Sequence, residues 1–259
     1  MKRLEGKAVL VTGAGSGIGA ACVRRLFDDG ALIAAADLDQ GSVDKVLAEF
    51  DSGDRAYSAS LDVSDRDRVA AFVADAQRRF GRLHGLINCA GIRGVGNVLD
   101  SDPETWQQVM SVNVDGTVNM CQAFARAAMN DVYEGVRASR SIVNISSGAG
   151  IMGVPNRLSY VASKFAVSGI TRTMGAELGP YKIRVNAVAP GMTRTPFTAY
   201  MFQDPENVRR IRAAHPIGRE AEPEEIAAVI VFLLCDDASF VTGAVIPVDG
   251  GSTACIPSH

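Results

Sequence analysis

An α/β fold built on one open parallel sheet is the architecture this sequence predicts, and three observations predict it. Short β-branched apolar runs alternate with longer polar-faced segments along the chain, the pattern of repeated βα units. Several of these runs end in glycine or small-residue clusters, as strands buried on both faces do where they leave a sheet. Finally, 47% hydrophobic and 21% charged residues over a length of 259 supply a large core. Undivided α/β sheets reach this size, so one domain over residues 1–259 is expected.

Composition also excludes function classes. A net charge of −3 gives no general attraction to phosphate backbones or anionic lipid, so neither nucleic acid nor membrane is an expected partner. The arginines are scattered, as in 66–82, and read as solvated helix faces. Cys22, Cys89, Cys121, Cys235 and Cys255 form no C-x-x-C and no secretory leader is visible, which predicts a reducing, cytoplasmic setting. The longest apolar run, 226–235, is about half a bilayer span. His84, His215 and His259 lack ligand neighbours at metal spacing, so no metal site and no Ser/His triad are expected.

Taken in order, residues 7–12 (KAVLVT) form the first strand and lead into Thr12-Gly-Ala-Gly-Ser-Gly-Ile-Gly19. The spacing of Gly13, Gly17 and Gly19 is neither a P-loop nor a strict G-x-G-x-x-G, but its strand-turn-helix context suits a dinucleotide. Missing side chains let the backbone approach a pyrophosphate at the positive end of a helix over 17–29. Gly13, Ser16, Gly17, Ile18 and Gly19 are therefore candidate contacts. A second strand, 31–36, ends in Asp37, followed by Leu38. A carboxylate there can accept from ribose hydroxyls and would repel a 2′-phosphate, and the glycine turn holds no Arg or Lys to receive one. NAD (NADH) is thus expected over NADP.

A helix over 42–50 and a strand over 56–61 follow, with Asp62 and Val63 at its end, Asp62 facing the adenine edge, and Ser64 as N-cap of a helix from 65. The aspartates of 62–67 lack the glycine and glutamate of a calcium loop. Strand 83–87 runs into Asn88-Cys-Ala-Gly91, a small-residue turn placing Asn88, Ala90 and Gly91 near a ligand. Residues 103–130 read as one helix with Asn113 among apolar neighbours, a position that demands hydrogen-bond partners if buried. Strand 141–145 delivers Ser146 and Ser147 to the same sheet edge, and alternation sends Ser146 to the opposite face.

On the next helix, 159–178, Tyr160 and Lys164 stand four apart and share a face. A phenol beside an ammonium has its ionised form favoured and becomes a usable general acid or base, although a solvated pair is the ordinary alternative. Strand 183–188 leads to Pro190-Gly191 and Thr193. Residues 192–215 lose periodicity and mix aromatic, methionine and polar side chains, as a lid over a site does. An apolar helix over 222–234 and a seventh strand, 244–248, complete a Rossmann-type doubly wound parallel sheet of seven strands in three α/β/α layers.

Together these features, spanning 7–251, resemble the short-chain dehydrogenase/reductase family in its short single-domain branch. Thr12 to Gly19 looks like its cofactor turn, Asn88-Cys-Ala-Gly91 is similar to its N-N-A-G motif, and Tyr160 to Lys164 is its Y-x-x-x-K. Ser147 and Asn113 match its catalytic serine and asparagine, and Pro190, Gly191 and Thr193 the turn that holds the carboxamide. The resemblance implies hydride transfer between nicotinamide and a secondary alcohol or ketone. Tyr160 would exchange the proton, Ser147 bond the substrate oxygen, Lys164 bond the ribose and lower the Tyr160 pKa, and Asn113 hold a water. It also implies a homotetramer. Two alternatives stand beside it: an NADPH-dependent 3-ketoacyl-thioester reductase and a non-catalytic NAD(H)-binding protein. Ile92, Arg93, Ala149, Val154, Arg157 and residues 192–202 are pocket candidates. Arg93 and Arg157 either seat a carboxylate or phosphate or are surface arginines.

Overall fold

The computed structural model describes residues 2–129 and 140–254; Asn130, Cys255 and His259 lie outside them. Seven strands form one parallel sheet: β1 Ala8–Thr12, β2 Leu32–Asp37, β3 Ala56–Ser60, β4 Leu83–Asn88, β5 Arg140–Ile145, β6 Ile183–Pro190 and β7 Val245–Val248, in the order β3-β2-β1-β4-β5-β6-β7. Helices α1 Gly17–Asp28, α2 Gln40–Leu47, α3 Arg66–Phe80, α4 Pro103–Met110, α5 Gly116–Met129, α6 Leu158–Leu178, α7 Pro205–Ala213 and α8 Pro223–Leu234 supply the connections and the flanking layers. This is a Rossmann-type doubly wound fold, as the alternation of runs predicted.

Strand alternation builds the two cores. Val9 and Val11 of β1 join Ile33, Ala35 and the buried faces of α1 and α8, while Ala8 and Leu10 join Ala34, Ala36 and the buried faces of α3 and α5. Successive side chains on a strand point to opposite faces, so a central strand is covered on both sides, and β1 is buried at all five positions. Because β1 lies between β2 and β4, the order reverses there. The carboxyl ends of β1 and β4 therefore open a crevice.

Several expectations need correction. The helix over 103–130 is broken by a π-helical turn, Ser111–Asp115, that carries Asn113. Ser64 is not the cap of α3: its hydroxyl donates to Asp62 at 2.7 Å, and Asp65 caps by accepting from the backbone N–H groups of Asp67 and Arg68. Asp39 caps α2 in the same way, starting that helix at Gln40 rather than Ser42. Residues 192–215 are not irregular throughout, since Asp204 caps α7.

Nor are all arginines solvated, for Arg140 is 1% and Arg184 5% exposed. The Arg140 guanidinium donates to the Leu83 carbonyl at 3.0 Å. Arg184 donates to the carbonyls of Leu233 at 2.7 Å and Cys235 at 3.2 Å, orphans that every helix C-terminus leaves. An arginine at a strand start reaches these distant carbonyls only once the sheet is assembled. Removing it while they stay buried costs about 2–3 kcal/mol. Arg184→Met should lower the unfolding free energy by that amount, read as a lower urea midpoint at an unchanged m-value, and an unchanged midpoint would show that water serves the carbonyls equally well.

Candidate active site

The crevice is made by turns in tight contact. Gly13 has φ +66°, and a Cβ there would lie 2.7 Å from the Ala90 amide nitrogen; one on Gly19 would lie 2.0 Å from the Gly13 carbonyl oxygen. Only glycine fits either place. The Ala90 N–H donates to the Thr12 hydroxyl at 3.3 Å, tying the turn after β4 to the end of β1. At the end of β2, Asp37 accepts from the Gly15 N–H at 3.0 Å. No lysine or arginine among the described residues pairs with Asp37. Leu38 beside it is 71% exposed, and Ser16 and Ile18 lie on the turn and the first turn of α1. A backbone cradle closed to any Cβ, with a carboxylate at the next strand end, fits a dinucleotide.

The other predicted contacts divide. Asp62 accepts from the N–H and hydroxyl of Ser64. Val63 packs inward, 2.5 Å from where a Cβ on Gly116 would sit, and its carbonyl accepts from Asn119 at 3.1 Å. The Asn88 side chain points away from the crevice, donating to Asn144 Oδ1 at 2.8 Å and to Cys121 Sγ at 3.2 Å. Gly91 abuts Asn113, and Gly191 lies so close to Asp249 that a Cβ would stand 2.7 Å from its Cα. Pro190 ends β6 opposite Val248, and the Thr193 hydroxyl donates to the Gly191 carbonyl at 3.2 Å.

Helix α6 and the end of β5 bring the reactive groups together. Ser147 lies within hydrogen-bonding reach of Tyr160 and accepts from the Ala149 N–H at 3.1 Å. Ser146 turns the other way, as alternation predicted, and is buried against the Lys164 carbonyl and the Ser168 hydroxyl. Lys164, 5% exposed, donates to the Ile145 carbonyl at 2.8 Å and lies 5.7 Å from the Tyr160 ring centre. Burial lowers its pKa to about 8. The Tyr160 phenol is held above its ordinary value by burial, against the opposing pull of the Ser147 bond and the Arg157 charge. The lowering expected from Lys164 thus gives way to desolvation, which disfavours the phenolate.

Asn113 has the partners its burial demands. At 1% exposure, it accepts from the Ile92 N–H at 2.8 Å and donates to the Ile92 carbonyl at 2.9 Å and the Ser163 hydroxyl at 3.0 Å. Ser163 donates in turn to the Tyr160 carbonyl at 2.8 Å. Two residues not singled out in sequence hold the far wall. His215 accepts from the Met192 N–H at 3.1 Å through Nε2, with Nδ1 2.6 Å from the Ile211 carbonyl. Asp249 accepts from the hydroxyls of Ser252 and Thr253 and from the N–H groups of Gly251 and Thr253. Met192 lies 23 residues from His215 and meets it only through the fold, whereas the partners of Asp249 follow it directly in Asp-Gly-Gly-Ser-Thr, a local turn signal. The segment that follows Met192 carries Phe197 to the Tyr160 ring, with centres 6.1 Å apart.

The fold and this crevice define a dinucleotide-binding α/β oxidoreductase. A family model described as enoyl-(acyl carrier protein) reductase matches residues 13–253. The chain belongs to the short-chain dehydrogenase/reductase family. It is 40% identical to 2-(S)-hydroxypropyl-CoM dehydrogenase 3 of Xanthobacter autotrophicus, over 97% of this chain and 98% of that one. It is likewise 40% identical to trans-4-hydroxycyclohexanecarboxylate dehydrogenase of Sinomonas cyclohexanicum, over 97% and 95%. The crystal structure of a gluconate 5-dehydrogenase from Burkholderia cenocepacia, in complex with NADP and tartrate, superposes with a TM-score of 0.90 at 31% identity, covering 98% of each chain. Among the described residues no group of His, Cys, Asp or Glu could hold a metal ion, and no helix is long and apolar enough to cross a membrane.

The buried lysine makes stability depend on pH. Its pKa is about 8 in the folded protein against 10.5 ordinarily, so between these values the unfolded chain binds more protons. Stability then rises with pH through that window, and the full cost of the charge is present below pH 8. Relative to Lys164→Met, the wild type should gain about 3 kcal/mol between pH 7.5 and 10.5. Urea unfolding of both proteins across that range measures it, and parallel profiles would show that the ammonium is solvated.

Proposed function

We propose that this protein is an NAD(H)-dependent dehydrogenase that moves a hydride between nicotinamide and a secondary alcohol or ketone, with Tyr160 as general acid/base. The observation that carries the reading is the meeting of Tyr160, Ser147 and Lys164 at the mouth of a glycine-closed crevice. The nicotinamide, when bound, supplies the hydride acceptor or donor. In oxidation, Ser147 donates to the substrate oxygen and Tyr160 takes the hydroxyl proton as the C–H hydride departs; reduction reverses both transfers. Lys164 holds the ribose, and its positive charge beside Tyr160 opposes the desolvation that disfavours a phenolate. Asn113 acts by fixing the Tyr160 turn of α6 and the Ile92 backbone, and its family role of holding a water remains part of this proposal.

Gly13, Ser16, Gly17, Ile18 and Gly19 receive the pyrophosphate, Asp37 and Leu38 the adenosine ribose side, and Asp62, Val63, Asn88, Ala90 and Gly91 the adenine edge and crevice floor. Val63 and Asn88 serve through backbone, since their side chains are committed to the core. Pro190, Gly191 and Thr193 complete the nicotinamide end, and residues 192–215 close over it. The NADP of the Burkholderia structure makes the cofactor the open choice within the family. Here Asp37, without a cationic partner, favours NAD, because a 2′-phosphate would meet its charge. That feature also counts against the NADPH-dependent ketoacyl reductase, and the complete Ser-Tyr-Lys set counts against a non-catalytic binder. A homotetramer is the assembly we infer from the family, with Trp106 and Phe165 exposed on α4 and α6 as apolar surface for it.

Tyr160→Phe should reduce kcat by at least about 10³-fold, within the range of general acid–base contributions, while NADH titrated by fluorescence still binds; substantial turnover would remove Tyr160 from its role. Asp37→Ala should relax the cofactor preference towards NADP in kcat/KM ratios. Equal efficiency with both cofactors before mutation would overturn the assignment of Asp37.

A further inference from the structure

Two guanidinium groups converge at the rim of this site without a carboxylate between them. Arg93 stands 4.4 Å and Arg157 5.9 Å from the centre of the Tyr200 ring. Arg157 donates to the Tyr200 hydroxyl, and Arg93 donates to the Phe197 carbonyl at 3.4 Å. Among the described residues neither arginine forms an ion pair. Nη1 of Arg157 is buried and has no hydrogen-bond partner. Two like charges sharing one ring repel each other, and an unpaired buried donor adds to the cost.

The backbone nevertheless fixes them there. Gly96 and Arg157 form a parallel bridge, in which the Gly96 N–H donates to the Asn156 carbonyl and the Leu158 N–H to the Gly96 carbonyl, each at 3.2 Å. Asn156, just before Arg157, takes φ +60°, a left-handed conformation that asparagine tolerates better than most residues. The loop after β4 and the entry to α6 are thereby held as one piece, with an arginine on each. Phe197, whose carbonyl meets Arg93, has its ring against Tyr160, so the pair lies beside the proton-transferring group.

We propose that Arg93 and Arg157 seat an oxyanion group, a carboxylate, sulfonate or phosphate, carried by the alcohol substrate, with Tyr200 closing over it. The proposal rests on the dehydrogenase reading of the site. A planar guanidinium meets an oxyanion through two parallel N–H bonds, which would satisfy the idle Nη1 and neutralise the repulsion. Phe197 and Tyr200 are apolar walls for the carbon skeleton between anion and alcohol.

The test is binding to the NADH-loaded protein, followed by calorimetry, of cyclohexanecarboxylate, cyclohexanesulfonate and cyclohexyl phosphate against neutral cyclohexanecarboxamide. At least one anion should bind about 10- to 100-fold more tightly than the amide, and Arg157→Met and Arg93→Met should each remove about 10-fold or more of that affinity. Arg157→Lys should restore part of it, and NADH affinity should stay within about 3-fold throughout, showing that the variants are folded. The three anions distinguish the oxyanion. Equal binding of amide and anions, absence of anion binding, or full anion affinity in both methionine variants overturns the seat. Turnover of the matching hydroxy compounds is read separately: selective anion binding without oxidation would sink the dehydrogenase reading and leave the seat standing.

Discussion

Helix α6 buries a polar face, and the site depends on the partners that Ser163, Lys164, Ser168 and Thr171 find there. Ser159, Ser163, Lys164, Ser168 and Thr171 are all buried, whereas Phe165 on the same helix is 46% exposed. In a dry interior each unpaired polar group costs more than its hydrogen bond returns. The partners come from three directions: Asn113 for Ser163, Ser146 and the Gly150 carbonyl for Ser168, and Asn144 for Thr171. Lys164 takes the Ile145 carbonyl. Together these bonds fix how α6 sits on the sheet, and with it Tyr160.

This constraint accounts for features that look unrelated. The π turn at Ser111–Asp115 is a local departure from α geometry of the kind that collects at functional sites, and it carries the amide that grips both Ile92 and Ser163. The small residues around it follow from that closeness: a Cβ on Gly91 would stand 3.2 Å from Asn113 Oδ1, and one on Gly94 would stand 2.0 Å from Ser159 Oγ. The stretch from Asn88 to Gly94 is thus shaped by α6 on one side and by the glycine turn on the other.

The sheet was legible in the sequence because the strands are short apolar runs punctuated by small residues, and the fold repeats that unit. The crevice was legible for the same reason, since its motifs sit at strand ends. Hidden were the interactions whose partners are far apart in the chain. Arg184 looked like any scattered arginine until β6 brought it beneath the end of α8. The Met192 contact of His215 spans 23 residues and was hidden in the same way, whereas Asp249 before Gly-Gly-Ser-Thr and Asp204 before Pro-Glu do carry local turn and cap signals. The Tyr160–Lys164 spacing identified the pair correctly as neighbours but could not weigh proximity against burial, and burial decides the direction of the Tyr160 shift.

That balance links substrate charge to proton transfer. Arg157 is among the groups that draw the Tyr160 pKa down, and it is one of the two arginines proposed to seat an oxyanion. An anion docked there would cancel part of that pull and leave the phenol more firmly protonated. A bound anionic ketone would then favour Tyr160 as the proton donor proposed for reduction, whereas proton removal from the matching alcohol would lean harder on Ser147 and Lys164. A neutral substrate leaves the Arg157 field intact. In the proposed seat Arg157 would thus do more than select a substrate: its occupancy would set how the phenol is poised, because at short range in a partly desolvated site one charge is felt directly by the next.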